Sequence, residues 1–242
     1  MAPYRERRSA DKDANNRAFV ALVARHWGAR CTPLRALVLD GKSMRTSRAV
    51  AAAFRKRVEV TVPQLDPDSV PPMRRNAPPE GHVRVVPGSM AALLQSCEGT
   101  VMHAAYFDYM GAVTGNRTKD LLPLEDIWAF LKANAARSGP VVLCCTFSAR
   151  MHRGLIRGRA SAQQQIVDDY LKPLFRYQRF AVLDLASRTY KRCGTSGPMV
   201  FVQTVLQYDA TIDASDVAFI ASLDQRHYEG YRERIRGPLF DV

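Results

Sequence analysis

No apolar run in this chain approaches the ~20 residues that a helix needs to cross a bilayer. The opening stretch, MAPYRERRSADKDANNR, lacks the apolar centre of a secretory signal. An intracellular protein, cytoplasmic or nuclear and not secreted, is expected. Cysteine is sparse and unpatterned: the five at positions 31, 97, 144, 145 and 193 contain no Cys-x-x-Cys pair and leave an odd count. That argues against a disulfide framework and a zinc site, and for reduced thiols; no metal is expected. Glycine is missing where two phosphate-binding motifs require it. Gly41-Lys42-Ser43 looks like the end of a phosphate-binding loop, but the first glycine of that loop would fall at position 36, which is Ala. The three spaced glycines of the dinucleotide fingerprint are absent too, since Gly41 stands alone before its helix, so a nicotinamide cofactor is not expected.

Acidic residues are also scarce. Only 23 Asp and Glu stand against 35 Lys and Arg, a formal net charge of +12 at pH 7 with arginine dominant among the cations. A polyanionic partner, RNA or DNA, is the natural inference, because the guanidinium fork can bind two phosphate oxygens at once. A compositional drift toward Arg, Ala, Gly and Pro is the plainer alternative.

What is present reads as one α/β domain. At 242 residues, 47% of them hydrophobic, the chain can bury a real core. The informative stretch is LRALVLDGKSMRTSRAVAAAF, positions 34–54. An aliphatic run stops at Asp40-Gly41 and an alanine-rich helix follows, with Thr46 and Ser47 as candidate N-caps. In an open α/β sheet the carboxyl end of such a strand is where ligands sit. Asp40 is therefore placed to accept hydrogen bonds from a ligand and Gly41 to let it approach the backbone; a simple turn is the other reading of this dipeptide.

The remaining elements follow in order. Residues 1–14 read as a basic flexible tail and 15–27 as a helix with Phe19, Val20, Val23 and Trp27 at helical spacing. Residues 58–62, VEVTV, alternate as a strand, and the five-proline stretch 64–82 reads as a loop with at most a turn of helix. Strands are expected near 83–89, 100–107, 141–147 and 180–185, with helices between. The fifth, VVLCCTF, is wholly apolar, as for a strand buried on both faces. A strand over 199–208 follows the sixth with no helix between, so the two should pair antiparallel. Residues 213–242 read as a basic helical extension to a core spanning 34–208.

This succession resembles the class I S-adenosylmethionine-dependent methyltransferases: a Rossmann-like, doubly wound, seven-stranded and mostly parallel sheet with an antiparallel last strand, flanked by helices. The resemblance implies S-adenosyl-L-methionine as cofactor. Leu37-Val38-Leu39-Asp40-Gly41 resembles the family's first motif, but Lys42-Ser43-Met44 stands where further glycines are usual. Asp40, Gly41 and Ser43 would then face the methionine part of the cofactor. Gln64 falls near the place of the usual acidic ribose partner, with Asp66 two residues on. Pro87, Gly88 and Ser89 match the adenine-contacting segment after the third strand.

Asp108-Tyr109-Met110-Gly111 matches the fourth motif, where cofactor and substrate meet. The resemblance implies Asp108 as acceptor or orienter of the nucleophile's proton and Tyr109 as a ring bounding or stacking on a base. The two prolines of amino-methylating enzymes are missing there. A ribose-methylating Lys-Asp-Lys-Glu set would use Asp108 with Lys42 or Lys191. Arg150, His152, Arg153, Arg157 and Arg159 follow the fifth strand, and with Arg74 and Arg75 they would track phosphates past the site. A methyltransferase acting on a base or ribose is thus expected. A catalytically inactive nucleic-acid-binding scaffold on the same fold, or a protein or small-molecule methyltransferase, are the alternatives.

Overall fold

The computed structural model describes residues 10–27, 33–96, 102–109, 111–113, 115, 122–135, 139–149, 161–191 and 197–213. Seven strands form one sheet: β1 Leu34–Leu39, β2 Val58–Gln64, β3 His82–Pro87, β4 Ala104–Asp108, β5 Val141–Ser148, β6 Phe180–Lys191 and β7 Pro198–Tyr208. Their spatial order is β3-β2-β1-β4-β5-β7-β6, with β3-β2-β1-β4-β5 parallel and β7 antiparallel to both neighbours. The β6–β7 pair is the direct antiparallel connection that its short link predicts. No described helix is long and apolar enough to cross a membrane.

The helices are α1 Ala10–Trp27, α2 Arg45–Phe54, α3 Val70–Asn76, α4 Met90–Ser96, α5 Pro123–Ala133, α6 Ala162–Gln165 and α7 Lys172–Tyr177. A π-helical turn, Ile166–Leu171, joins α6 to α7 into one rod. The proline-rich loop contains a 3₁₀ turn, Pro67–Ser69, that runs into α3, so it is more helical than its prolines suggest. Pro67, Pro71 and Pro72 fall at the starts of the two helical turns, where a missing N–H costs nothing, and Pro78 and Pro79 follow the end of α3.

Strand alternation divides the core in two. On one face Ala36, Val38, Val60, Tyr106 and Cys144 pack against Phe19, Leu22 and Val23 of α1, Val50 and Phe54 of α2, and Met73 of α3. On the other, Leu37, Phe107, Leu143 and Phe147 meet Leu93 of α4, Ile127, Phe130 and Leu131 of α5, and Ile166, Leu171 and Phe175 of the last rod. Each fully buried Leu or Phe contributes roughly 1.5–3 kcal/mol, so this double layer holds the sheet ends in place. All eight residues of β5 are buried, and both of its thiols, Cys144 and Cys145, are free. Burial pushes both thiols well above the ordinary thiol range, which leaves them inert.

Helix α1 begins at Ala10 rather than near position 15, so residues 10–14 are not a tail. Asp11 and Asp13 lie in its first turn, where the helix dipole favours acid. Its buried stripe is Lys12, Asn15, Asn16, Phe19, Leu22, Val23 and Trp27. Polar at the start and apolar afterwards, it enters the core at one end and something polar at the other. The expected C-terminal extension lies outside the described residues beyond 213.

Candidate functional site

Strand order reverses direction between β1 and β4, and their carboxyl ends form the crevice where α/β sheets bind ligands. The register pairs Leu39 with Phe107, so Asp40 and Asp108, one residue on, end neighbouring strands side by side. By alternation both stand on the face that α1 covers.

Asp40 serves its own loop. Its Oδ1 accepts from the Gly41 N–H at 3.0 Å and its Oδ2 from the Ser47 N–H at 2.8 Å. The carboxylate thus caps the first turn of α2 from outside, and Thr46 and Ser47, the expected caps, are instead buried within that turn. Burial raises the Asp40 carboxyl from 3.8 to about 6, against the pull of the Ser47 N–H and the nearby Lys12 charge. Where the family has further glycines, Met44 adopts a left-handed conformation, φ 54°, closes a turn onto the Gly41 carbonyl at 2.9 Å, and is wholly buried in the core. The loop therefore follows a path of its own, anchored by a side chain. Gly41 itself needs no positive φ, and Ser43 is half-buried in the turn.

Asp108 is held by distant elements. Thr146 of β5 donates to Oδ1 at 2.6 Å, and Lys12 of α1 contacts Oδ2 at 2.7 Å. Side-chain exposures of 11% and 13% make this a largely buried ion pair. The same pole contains Tyr190 of β6, whose phenol is pushed up by burial and then by the Asp108 charge. The wholly buried Tyr106 is shifted likewise, and its hydroxyl has no hydrogen-bond partner among the described residues. Asn16 and Asn15 extend the cluster, accepting from the Thr46 hydroxyl at 3.0 Å and from the Arg188 guanidinium.

Tyr109 corrects the expectation placed on it. Its ring is buried and stacks on Phe147, 5.7 Å between centroids, and its hydroxyl donates to Asp126 at 3.0 Å. Alternation puts it on the face opposite Asp108, where it is a core ring and not a platform for a base.

A second group gathers at the ends of β2 and β3. The Gly88 N–H donates to the Gln64 carbonyl at 3.0 Å, and Gly88 has φ 127°, a conformation that favours glycine. Nothing lies within 4 Å of where its side chain would stand, so the backbone there faces open space. Pro87 is exposed, and the Ser89 hydroxyl accepts from the Ala92 N–H at 3.1 Å, capping α4. Gln64 donates to the Met73 sulfur at 3.2 Å and accepts from the Asp66 N–H at 2.9 Å. The Asp66 carboxylate is lowered by the Ser69 hydroxyl and the Asp68 N–H, both of which it caps. Arg74 and Arg75 are exposed on α3, Arg74 reaching the Val85 carbonyl at 3.3 Å.

The structure therefore brings Asp40, Gly41, Ser43 and Asp108 to one crevice and Gln64, Pro87, Gly88 and Ser89 to its flank. Arg150, His152, Arg153, Arg157 and Arg159 lie outside the described residues. Lys12 is the residue at this pole that the sequence pattern did not single out: it, and not the expected Lys42 or Lys191, is seen paired with Asp108. Extending the Phe19–Val23 spacing backward to Asn16, Asn15 and Lys12 would have found it. Among the described residues no group of three or more His, Cys, Asp or Glu could hold a metal.

No family model matches the chain, and no curated protein matches it. Solved structures do. An O-methyltransferase from Bacillus cereus in complex with SAH is 14% identical with a TM-score of 0.53, over 84% of each chain. A SAM-dependent methyltransferase from Methanosarcina mazei is 11% identical with a TM-score of 0.51, over 77% of this chain and 97% of that one. Human methyltransferase 10 domain containing protein is 11% identical with a TM-score of 0.51, over 82% of this chain and 83% of that one. At such identities the likeness concerns architecture, and this chain has the class I fold of the S-adenosylmethionine-dependent methyltransferases.

Proposed function

We propose that the protein is an S-adenosylmethionine-dependent methyltransferase whose acceptor is a nucleic acid, RNA or DNA, methylated on a base or ribose. The observation that carries this reading is the pair Asp40 and Asp108, side by side at the ends of β1 and β4, in a crevice with a buried, unpartnered phenol. The residues fit the cofactor in kind. Asp40, Gly41 and Ser43 would hold its amino-acid part, and Gln64, Pro87, Gly88 and Ser89 its nucleoside, with Gly88 leaving room for close approach. Bound there, the cofactor supplies an electrophilic methyl group.

The chain's own task is positioning, and correct placement alone supplies a large share of such a rate. Asp108, with Thr146 on one oxygen and Lys12 on the other, is fixed to orient an acceptor rather than left free as a base. Charge favours a polyanion as that acceptor. Residues 41–90, which carry the β1–α2 loop, α3 and β3, have nine Lys and Arg against four Asp and Glu.

Calorimetric titration with S-adenosylhomocysteine, repeated with Asp40→Ala, tests the cofactor site. Micromolar binding that the substitution abolishes supports it, and transfer of a labelled methyl group to RNA or DNA fractions then tests the acceptor. One observation favours a second reading, a nucleic-acid-binding scaffold without catalysis. At the usual ribose carboxylate stands Gln64, whose amide is already engaged by Met73 and Asp66. The absence of any binding heat, together with salt-dependent nucleic-acid binding, would select that reading.

A further inference from the structure

The reaction pole carries two carboxylates and one ammonium. Asp40 and Asp108 stand on adjacent strand ends, Lys12 pairs with Asp108 at 2.7 Å, and the phenols of Tyr106 and Tyr190 complete the surroundings. The two carboxylates and the ammonium sum to one net negative charge, in a buried setting where a unit charge is poorly screened; around them the Arg188 guanidinium, held through Asn15, and Asp11, which acts on Tyr190, are of opposite sign and offset each other. Such a set matches a ligand with one net positive charge.

We propose that Lys12, Asp40 and Asp108 read the charge of the ligand: they hold a sulfonium-bearing cofactor more tightly than its neutral thioether product, and Lys12 limits that preference. The inference rests on the methyltransferase reading above and deepens it. Methyl transfer breaks the sulfur–methyl bond with its electron pair left on sulfur and forms a bond from the acceptor to the methyl carbon, while the acceptor's proton leaves to solvent. The ligand at the pole thereby loses one positive charge. Lys12 keeps the two carboxylates from facing each other uncompensated at that moment, and it keeps the charged cofactor from binding so tightly that only the product state is penalised.

A purely structural role, with Lys12 clipping α1 onto β4, would weaken or strengthen all ligands alike. The ratio of two affinities separates the roles. Calorimetry at pH 7.5 with sinefungin, whose amine stands in for the sulfonium, and with S-adenosylhomocysteine gives that ratio for the wild type, Lys12→Met and Asp108→Asn. The wild type should prefer the cationic ligand. Lys12→Met should raise the preference roughly tenfold and Asp108→Asn lower it by a similar factor. Lys12→Gln replaces the Met variant should the latter not fold. Ratios within twofold of wild type in both kinds of variant overturn the proposal. Failure of the wild type to bind either ligand overturns the methyltransferase reading instead.

Discussion

Asp40 and Asp108 occupy equivalent places on neighbouring strands, yet they are held in opposite ways. Asp40 is tied to backbone N–H groups one and seven residues away, so its hydrogen bonds lie within a single loop. Asp108 is tied to side chains 38 residues later and 96 residues earlier, on β5 and α1. A strand end secured locally makes a stable loop. A strand end secured by remote elements makes a place where three parts of the molecule must agree.

Breaking the remote arrangement should cost most. Asp108→Asn removes the carboxylate that pairs with the largely buried Lys12 ammonium at 2.7 Å, and stability should fall by about 3 kcal/mol in urea unfolding. Much of that should return in the double variant with Lys12→Met, a coupling that a thermodynamic cycle measures. The local arrangement gives a signature in pH. Because burial raises the Asp40 carboxyl to about 6, the folded protein binds its proton more tightly than the unfolded chain does. Stability therefore declines as pH rises from about 4 to about 6 and levels off above, by roughly 3 kcal/mol if Asp40 acted alone. Asp66 and Asp209, held low by hydroxyl and N–H donors, pull the other way. Unfolding midpoints across this range should show a shallower decline in Asp40→Asn than in the wild type.

Smaller effects sharpen the contrast. Gly88→Ala meets open space but must adopt φ 127°, so a loss of about 1–3 kcal/mol is expected with no steric contribution. Tyr109→Phe removes one hydroxyl bond to Asp126 and should cost about 1 kcal/mol in thermal unfolding, with affinity for S-adenosylhomocysteine unchanged. A tenfold loss of that affinity would place Tyr109 back in the site.

The succession of strands along the chain and the acidic residues that end two of them were legible in the sequence because each is local: a hydrophobic run and the polar residue that stops it. Gly88 was legible for the same reason. Lys12 was not, since a charged stretch without an apolar stripe looks like solvated chain until the helix is known to bury its polar start. Tyr109 misled through alternation: the residue after Asp108 points to the opposite face, so sequence adjacency to the site meant burial away from it. The prolines of 64–82 hid α3 because their positions relative to the helix starts could not be known beforehand.

Met44 gives the loop after β1 a character that glycines would not. Glycine-rich loops remain pliable and must be ordered by what they bind, whereas a buried methionine anchors this one to the core before any ligand arrives. The loop is a shelf rather than a flap: its shape is fixed with the fold, so a ligand seated there would meet a surface already formed.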